Sequence, residues 1–308
     1  MSAPNVNRMI VIVGATGNLG RQVVQKLLAR GVPADRVVAA VRRPEAAQEL
    51  GVPVRRADYD HPETLPAALA GARRVLLISS PGPFGQRPAQ HRAVLEAAGD
   101  VELFAYTSIL GGERSGARLA EDHQATEAAI RASGLPHVFL RNGWYLENYR
   151  PSLAHAATSG GVSVGRQTGR PTQPAGSAGE IVGSAGPDAR VASALIEEYA
   201  EATAAVLTAE APKPVYELSG DVAWSFAELA AEVARQAGRP VGYRRLTPAE
   251  HLGVLTGAGI PEPVADLLVD VDAAVDRGEL ATKTGDLAAL IGRPTAPLAE
   301  AVKRVLAS

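Results

Sequence analysis

The stretch Met9-Ile-Val-Ile-Val13-Gly14-Ala-Thr-Gly17-Asn-Leu-Gly20 decides the fold. Its five apolar residues in unbroken succession read as a strand buried on both faces, the pattern of a parallel sheet. Leu19, Val23, Val24, Leu27 and Leu28 then recur at helical spacing until Gly31 stops the run. A glycine turn between strand and helix is built to hold a pyrophosphate. Gly14 permits the tight turn, Gly17 lets the backbone approach the anion, and Gly20 lets helix and strand pack closely. The helix N-terminus adds unpaired N–H groups. Gly14, Ala15, Thr16, Gly17, Asn18, Leu19 and Gly20 are therefore candidate dinucleotide-binding residues.

Outward from this turn, apolar runs at 37–41, 52–55, 75–79, 103–107 and 136–140 read as further strands. Between them lie helical patterns at 65–69, 86–98 and 120–133, the last stopped by Gly134. Strands alternating with helices predict an α/β fold, a Rossmann-type doubly wound parallel sheet, over residues 1–150. The remainder, 151–308, is less regular. Ser225-Phe-Ala-Glu228 and Thr247-Pro-Ala-Glu250 are capping boxes that open helices, with Pro248 at a first helical position, and 216–219 reads as a strand. The expectation is a smaller C-terminal α/β substrate lobe, with segments returning to the Rossmann domain, covering the carboxyl edge where open α/β sheets bind ligands. Residues 171–188 are rich in Pro, Gly, Ser and Ala, and Gly-Ser-Ala-Gly occurs twice, at 176–179 and 183–186. That composition reads as a flexible surface insertion, with a mobile lid over the substrate as the alternative.

Composition narrows the function classes. The 308 residues are 46% hydrophobic and 21% charged, ordinary for a globular protein. A net charge of −2 gives no basic surface for nucleic acid or membranes. With no cysteine there is neither a disulfide framework nor a thiolate site. The first eight residues are polar, without an apolar signal region, and no apolar stretch is long enough to span a bilayer. A cytoplasmic protein is expected, without membrane insertion. The six histidines are scattered, so no metal site is expected. The oligomeric state, a homodimer included, stays open.

Cofactor choice is read at the end of the second strand. NAD-selective sites place Asp or Glu there to hold the ribose 2′-hydroxyl. Here Val41-Arg42-Arg43-Pro44 puts Arg42 in that place, where a guanidinium pairs with a 2′-phosphate and stacks on adenine. NADPH is the expected cofactor, with NADH weaker; Arg43 either assists or is a surface arginine. Asp58 and Tyr59 end the third strand, where adenine lies; Asp58 either accepts from the adenine amino group or caps a turn.

Many short-chain dehydrogenases use a Tyr with a Lys four residues later to move a proton. None of the seven tyrosines here has that partner, and no lysine lies between Lys26 and Lys213. Either the acceptor needs no strong proton donor, as a quinone does not because its reduced anion is delocalised, or the protein binds the cofactor without turnover.

The segments Gly14–Gly20, Ala57-Asp58-Tyr59, Leu77-Ile-Ser-Ser80, Gly85-Gln-Arg87, Gln90-His91-Arg92, Ala105-Tyr-Thr-Ser108, Arg141-Asn-Gly-Trp-Tyr145 and Glu147-Asn-Tyr149 resemble type 2 NAD(P)H:quinone oxidoreductases, of the NmrA-like branch of the atypical short-chain dehydrogenases. The resemblance resumes at Tyr216-Glu-Leu-Ser-Gly-Asp221 and Trp224 and runs to Leu290-Ile-Gly292, and Arg141-Asn-Gly-Trp-Tyr145 is its most specific part. It implies flavin-free, two-electron reduction of a small-molecule quinone with NADPH. It implies cofactor contacts from the glycine turn, Arg42, Ser79, Ser80, Pro81, Thr107, Asn142, Gly143, Trp144, Tyr145, Leu146 and Glu147. The quinone is expected near Asn142, Gly143 and Tyr145. The Asn142 amide and Gly143 N–H would orient the carboxamide or a quinone oxygen, Trp144 would pack, and Tyr145 would donate a hydrogen bond or pack. His123 is the remaining candidate proton donor near neutral pH, against a solvated helix position. Tyr106 reads as core.

The chain departs from the family after Gly165. Residues 171–188 intervene, and Ser193-Ala-Leu-Ile-Glu-Glu198 puts Leu195 and Ile196 where the family has Thr-Arg. Two other functions stay open: an NADP(H)-sensing regulator without turnover, and a reductase of another activated carbonyl or alkene.

Overall fold

The computed structural model describes residues 8–80, 82, 84–158 and 179–307. In chain order the first half holds β1 (Ile10–Val13), α1 (Asn18–Ala29), β2 (Val37–Val41), β3 (Val54–Arg56), α2 (Leu65–Leu69), β4 (Arg74–Leu77), α3 (Arg87–Ala97), β5 (Leu103–Ile109), α4 (Arg118–Ser133) and β6 (His137–Asn142). Then come α5 (Arg150–Thr158), β7 (Gly179–Gly183), β8 (Arg190–Val191), α6 (Ile196–Thr208) and β9 (Val215–Leu218). The chain closes with β10 (Trp224–Ser225), α7 (Phe226–Ala237), β11 (Val241–Arg245), α8 (Pro248–Gly257), α9 (Glu262–Asp276), α10 (Asp286–Ile291) and α11 (Leu298–Ala307). The described residues gather into two compact units: one from those within 8–143, 196–219 and 284–295, the other from 144–158, 179–195, 220–283 and 296–307.

The first unit is a seven-stranded sheet of order β3-β2-β1-β4-β5-β6-β9. Every neighbouring pair is parallel. The doubly wound expectation holds, with strand boundaries shifted by one or two residues. Strands β1, β2 and β4 are buried throughout, which is why Ile10–Val13, Val37–Val41 and, after the buried Arg74, residues 75–77 are continuous apolar runs rather than alternating ones. On one face Val11, Val38, Val75, Phe104, Tyr106 and Phe139 share a core with Leu65, Leu69, Val94 and Ile130 from α2, α3 and α4. Strand order reverses between β1 and β4, and the crevice outside such a switch point is where open α/β sheets bind ligands.

The second unit holds two small sheets, β7 with β11 in parallel and β8 with β10 antiparallel. Its core joins Leu153, Ile181, Trp224, Phe226, Val233, Val275 and Val302. Both capping boxes form: Ser225 opens α7 and Thr247 opens α8. From residue 179 onward the flexible-insertion reading of 171–188 needs correcting. Residues 171–178 lie outside the described residues, but 179–183 is strand β7, with Gly179, Ile181 and Gly183 buried. A Cβ on Gly179 would overlap the Ala156 carbonyl oxygen, and one on Gly183 would lie 2.8 Å from the Tyr243 hydroxyl. The next turn is tied to α9. Asp272 accepts from the Ser184 N–H at 2.6 Å, its hydroxyl at 3.0 Å and the Ala185 N–H at 3.3 Å, while Asp276 accepts from the Gly186 N–H at 2.6 Å. These glycines serve close packing, not mobility.

Candidate functional site

Where β1 ends, Gly14 turns the chain with φ 91°, in the left-handed region that favours glycine. Its N–H donates to the Ala40 carbonyl at 3.0 Å, and Gly17 closes the turn onto the Gly14 carbonyl at 3.1 Å. Gly17 is the exposed N-cap of α1. A Cβ on Gly20 would lie 2.7 Å from the Ala15 Cα and closer still to the Gly14 carbonyl oxygen, so glycine is required there for the helix to start against the strand.

Above this turn opens a pocket of about 700 Å³. Gly14, Thr16 and Gly17 line it from the turn, Arg42 and Arg43 from the end of β2, Asp58, Tyr59 and Asp60 after β3, and Ile78, Ser79 and Ser80 after β4. Gln86 and Gln90 complete it. Of the other expected residues, Ala15 and Leu19 pack inward, Gly20 faces the turn, Asn18 is exposed, and Pro81 lies outside the described residues. Asp60, Gln86 and Gln90 were not anticipated as pocket residues; Asp60 adjoins Tyr59, and Gln86 and Gln90 stand within the quoted motif segments.

The lining is suited to a nucleotide with an extra phosphate. Arg42 and Arg43 are exposed, and neither guanidinium has a hydrogen bond or ion pair among the described residues. The Tyr59 hydroxyl is buried in the wall without a hydrogen-bond partner among the described residues. Burial pushes that phenol well above its usual range, so it stays a neutral donor. A buried hydroxyl without a partner is costly unless a ligand supplies one. Asp58 is buried, and its carboxylate accepts from the Asp60 N–H at 3.3 Å, so it does cap its own turn.

The wall after β4 is fixed from behind by side chains. The Ser79 N–H donates to Thr107 Oγ1 at 2.9 Å, which places Thr107 behind the pocket. The Ser80 N–H donates to His91 Nε2 at 3.0 Å, and the Ser80 hydroxyl donates to Gln90 Oε1 at 2.7 Å. His91 Nδ1 therefore carries the proton and faces Thr126 Oγ1 at 2.9 Å, while that hydroxyl donates to the Asp122 carbonyl. Burial, then the nearby Arg87, lowers the His91 pKa to about 4. His123 lies next to it, sharing a 2.8 Å hydrogen bond through Nδ1 with the hydroxyl of the fully buried Tyr106. Burial, then His91 and Arg87, lowers the His123 pKa to about 3. The expectation of His123 as a proton donor at neutral pH is overturned: the ring is neutral there and locked into the core. His91 was passed over as a supporting residue, although Gln90-His91-Arg92 stood in the motif set.

Asn142 ends β6, buried and in register with Ile109 of β5 and Leu218 of β9. The Gly143 N–H donates to the Leu218 carbonyl at 2.7 Å, which corrects the expectation that it serves a ligand. Trp144, Tyr145, Leu146 and Glu147 belong to the second unit. There Tyr145 bridges Ala194, the Leu146 N–H donates to the Ala194 carbonyl at 3.2 Å, and Trp144 packs against the core that holds Leu146 and Leu195. Leu195, one of the two apolar departures from the family, is thus a packing residue.

The comparisons agree with this geometry. Residues 14–171 match a family model described as NAD(P)H-binding. The chain is 41% identical over 303 residues to quinone oxidoreductase 2 of Escherichia coli (strain K12), covering 96% of this chain and 98% of the relative. The crystal structure of the NADPH-dependent quinone oxidoreductase of Escherichia coli complexed with NADPH superposes with a TM-score of 0.86 at 40% identity, covering 96% and 99% of the two chains. The triphenylmethane reductase of Citrobacter sp. complexed with NADP(H) superposes with a TM-score of 0.84 at 35% identity, with the same coverage. No helix among the described residues is long and apolar enough to cross a membrane.

Proposed function

The chain belongs to the NAD(P)H-binding family, in the NmrA-like group of type 2 quinone oxidoreductases, and from that premise we propose that it reduces quinones by direct hydride transfer with NADPH and without flavin. The observation that carries the cofactor choice is Arg42. It stands at the end of β2 on the pocket wall, free of any ion pair among the described residues, where an NAD-selective site would place a carboxylate. Gly14, Thr16, Gly17 and the N-terminus of α1 hold the pyrophosphate. Arg42, assisted by Arg43, holds the 2′-phosphate. Tyr59 and Asp58 border the adenine, and Ser79 and Ser80 form the wall along the cofactor's length. Asn142, at the carboxyl edge of β6, meets the nicotinamide end and the quinone. Residues 1–150 then serve mainly the cofactor, and 151–308 mainly the acceptor.

NADPH, when bound, would supply a hydride to the quinone, and the delocalised hydroquinone anion would take its proton from water. The chain's part is to orient and to exclude water, because neither His91 nor His123 is an imidazolium near neutrality. The test is NADPH oxidation on adding a small para-benzoquinone or naphthoquinone, with NADH in parallel, no flavin, and the uncatalysed rate subtracted. Turnover well above background and faster with NADPH is expected. NADPH binding without turnover would replace this reading with that of a cofactor-sensing protein.

A further inference from the structure

Arg141, the residue before Asn142, has no place in the pocket, yet it is the centre of a buried charge network. Ser108 of β5, Arg141 of β6 and Glu217 of β9 are register partners across three adjacent strands. The next row toward the carboxyl edge is Ile109, Asn142 and Leu218. Because side chains alternate along a strand, the two rows face opposite sides of the sheet. On the first side, Arg141 makes a two-pronged contact with Glu127 of α4, Nε to Oε1 at 2.9 Å and Nη2 to Oε2 at 2.6 Å. Its Nη1 reaches Glu217 Oε1 at 2.9 Å. Ser108 donates its hydroxyl to Glu127 Oε1 at 2.7 Å, Arg131 donates to Glu127 Oε2 at 2.9 Å, and the Gly111 N–H donates to Glu217 Oε2 at 2.8 Å.

Glu127 is 1% exposed. Burial raises its pKa, but the hydrogen bonds from Arg141 and Ser108 and the charges of Arg141 and Arg131 outweigh that, and its carboxyl sits below the usual range. Arg114, 3.6 Å from Glu217, and Glu113, 3.0 Å from Arg131, extend the network at its exposed edge, so three glutamates and three arginines balance in charge. An apolar cluster of the same volume would stabilise the strands at least as well, since the desolvation of such pairs offsets their attraction. What an apolar cluster lacks is directionality. The guanidinium fork fixes the relative height of β6, β9 and α4, and through Ser108 and Gly111 that of β5 and its following turn. The backbone one row on follows: the Leu110 N–H donates to the Asn142 carbonyl at 2.9 Å, and the Gly143 N–H to the Leu218 carbonyl at 2.7 Å. Gly112 closes the arrangement, since a Cβ there would overlap the Arg141 guanidinium.

We propose that Arg141 is a positioning residue for hydride transfer: bridging Glu127 and Glu217, it sets the register of three strand ends and thereby the place of the Asn142 amide. The proposal rests on the reading above that Asn142 meets the nicotinamide end. A displacement of about 1 Å at such a position costs on the order of a hundredfold in rate. Arg141→Lys keeps the charge and removes the fork. Arg141→Met combined with Glu127→Gln and Glu217→Gln removes the guanidinium and both carboxylates it bridges, so that no unpaired charge is left behind if the lysine variant is unstable. The measurements are the single-turnover rate of NADPH oxidation by a small para-benzoquinone, its isotope effect with 4-deuterated NADPH, and the NADPH dissociation constant from fluorescence.

A loss of about tenfold or more in the hydride step is expected in folded protein, with a larger isotope effect and an NADPH affinity within about threefold of wild type. Wild-type rates in either folded variant, or a loss that follows only the folded fraction or the affinity, overturns it. If the wild type binds NADPH but turns over no quinone, the functional reading fails separately. Positioning is then read from the emission of the bound nicotinamide: a change at unaltered affinity supports it, and unaltered emission overturns it.

Discussion

Two stretches of this chain are rich in glycine, and they look alike only in composition. The Gly14–Gly20 turn lies between a buried strand and a helix; the glycines of 179–186 include those of strand β7 and its following turn. In both, a glycine stands where a Cβ would run into backbone: Gly20 against Gly14 and Ala15, Gly179 against the Ala156 carbonyl. The first stretch announces its role because an apolar strand and a helical period flank it. The second lacks such flanks, so the same physical demand reads as looseness. Glycine content alone does not separate a close approach from a flexible linker.

The comparison breaks most sharply with alanine at these positions. Gly20→Ala and Gly179→Ala should each destabilise by about 3 kcal/mol or more, as overpacking against backbone that has nowhere to go, or abolish folding outright. Chemical denaturation checks both. A Gly179→Ala protein as stable as wild type would restore the flexible reading of that segment.

Acid should act on the wall of the first region. His91 is held neutral with its pKa near 4, below the value of about 6.5 that it has when unfolded. The unfolded chain therefore takes up the proton first as pH falls. The stability due to neutral His91 is complete above about pH 6.5 and is lost progressively down to about pH 4, in total about 3 kcal/mol. Melting temperatures across that range should fall with acid, and His91→Gln should flatten the slope. An unchanged slope would mean that the ring does not accept from Ser80 as a neutral group.

The doubly wound sheet was legible because each buried strand is an apolar run and each helix has its own period and stop, as at Val37–Val41 and at Gly134. The adenine and phosphate half of the site was legible for a related reason: Gly14, Gly17 and Arg42 lie at fixed offsets from strand ends. Less legible were the residues that act from behind. His91 supports Ser80 from α3, and Glu217 pairs with Arg141 from a strand 76 residues further along the chain. Those partnerships exist only once the sheet order is known. His123 was misjudged because its neighbours Glu121 and Asp122 suggest a solvated face, whereas the helix turns the ring toward Tyr106.

Cofactor choice sharpens the comparison at the rim of the first region. Arg42→Ala should weaken NADPH binding about thirtyfold, roughly 2 kcal/mol for one charge-assisted contact, and leave NADH binding nearly unchanged. Calorimetric titration with both nucleotides decides it. Equal losses for the two would place Arg42 against the adenine ring rather than the 2′-phosphate.

Gly17 should show the smallest effect on the fold and separates the two uses of glycine within one turn. Its φ is −71°, open to any residue, and the nearest atom to an added Cβ is the Gly14 carbonyl oxygen at an ordinary 3.4 Å. Nothing in the fold requires glycine there; what an added methyl would occupy is the pocket in front of the α1 N-terminus. Gly17→Ala should therefore change stability by about 1 kcal/mol or less, the difference between glycine and alanine as an N-cap, and yet reduce affinity for NADPH and NADH alike. A stable variant with weakened binding assigns Gly17 to the ligand and Gly20 to the fold. A variant that binds normally would mean that the pyrophosphate path avoids this turn.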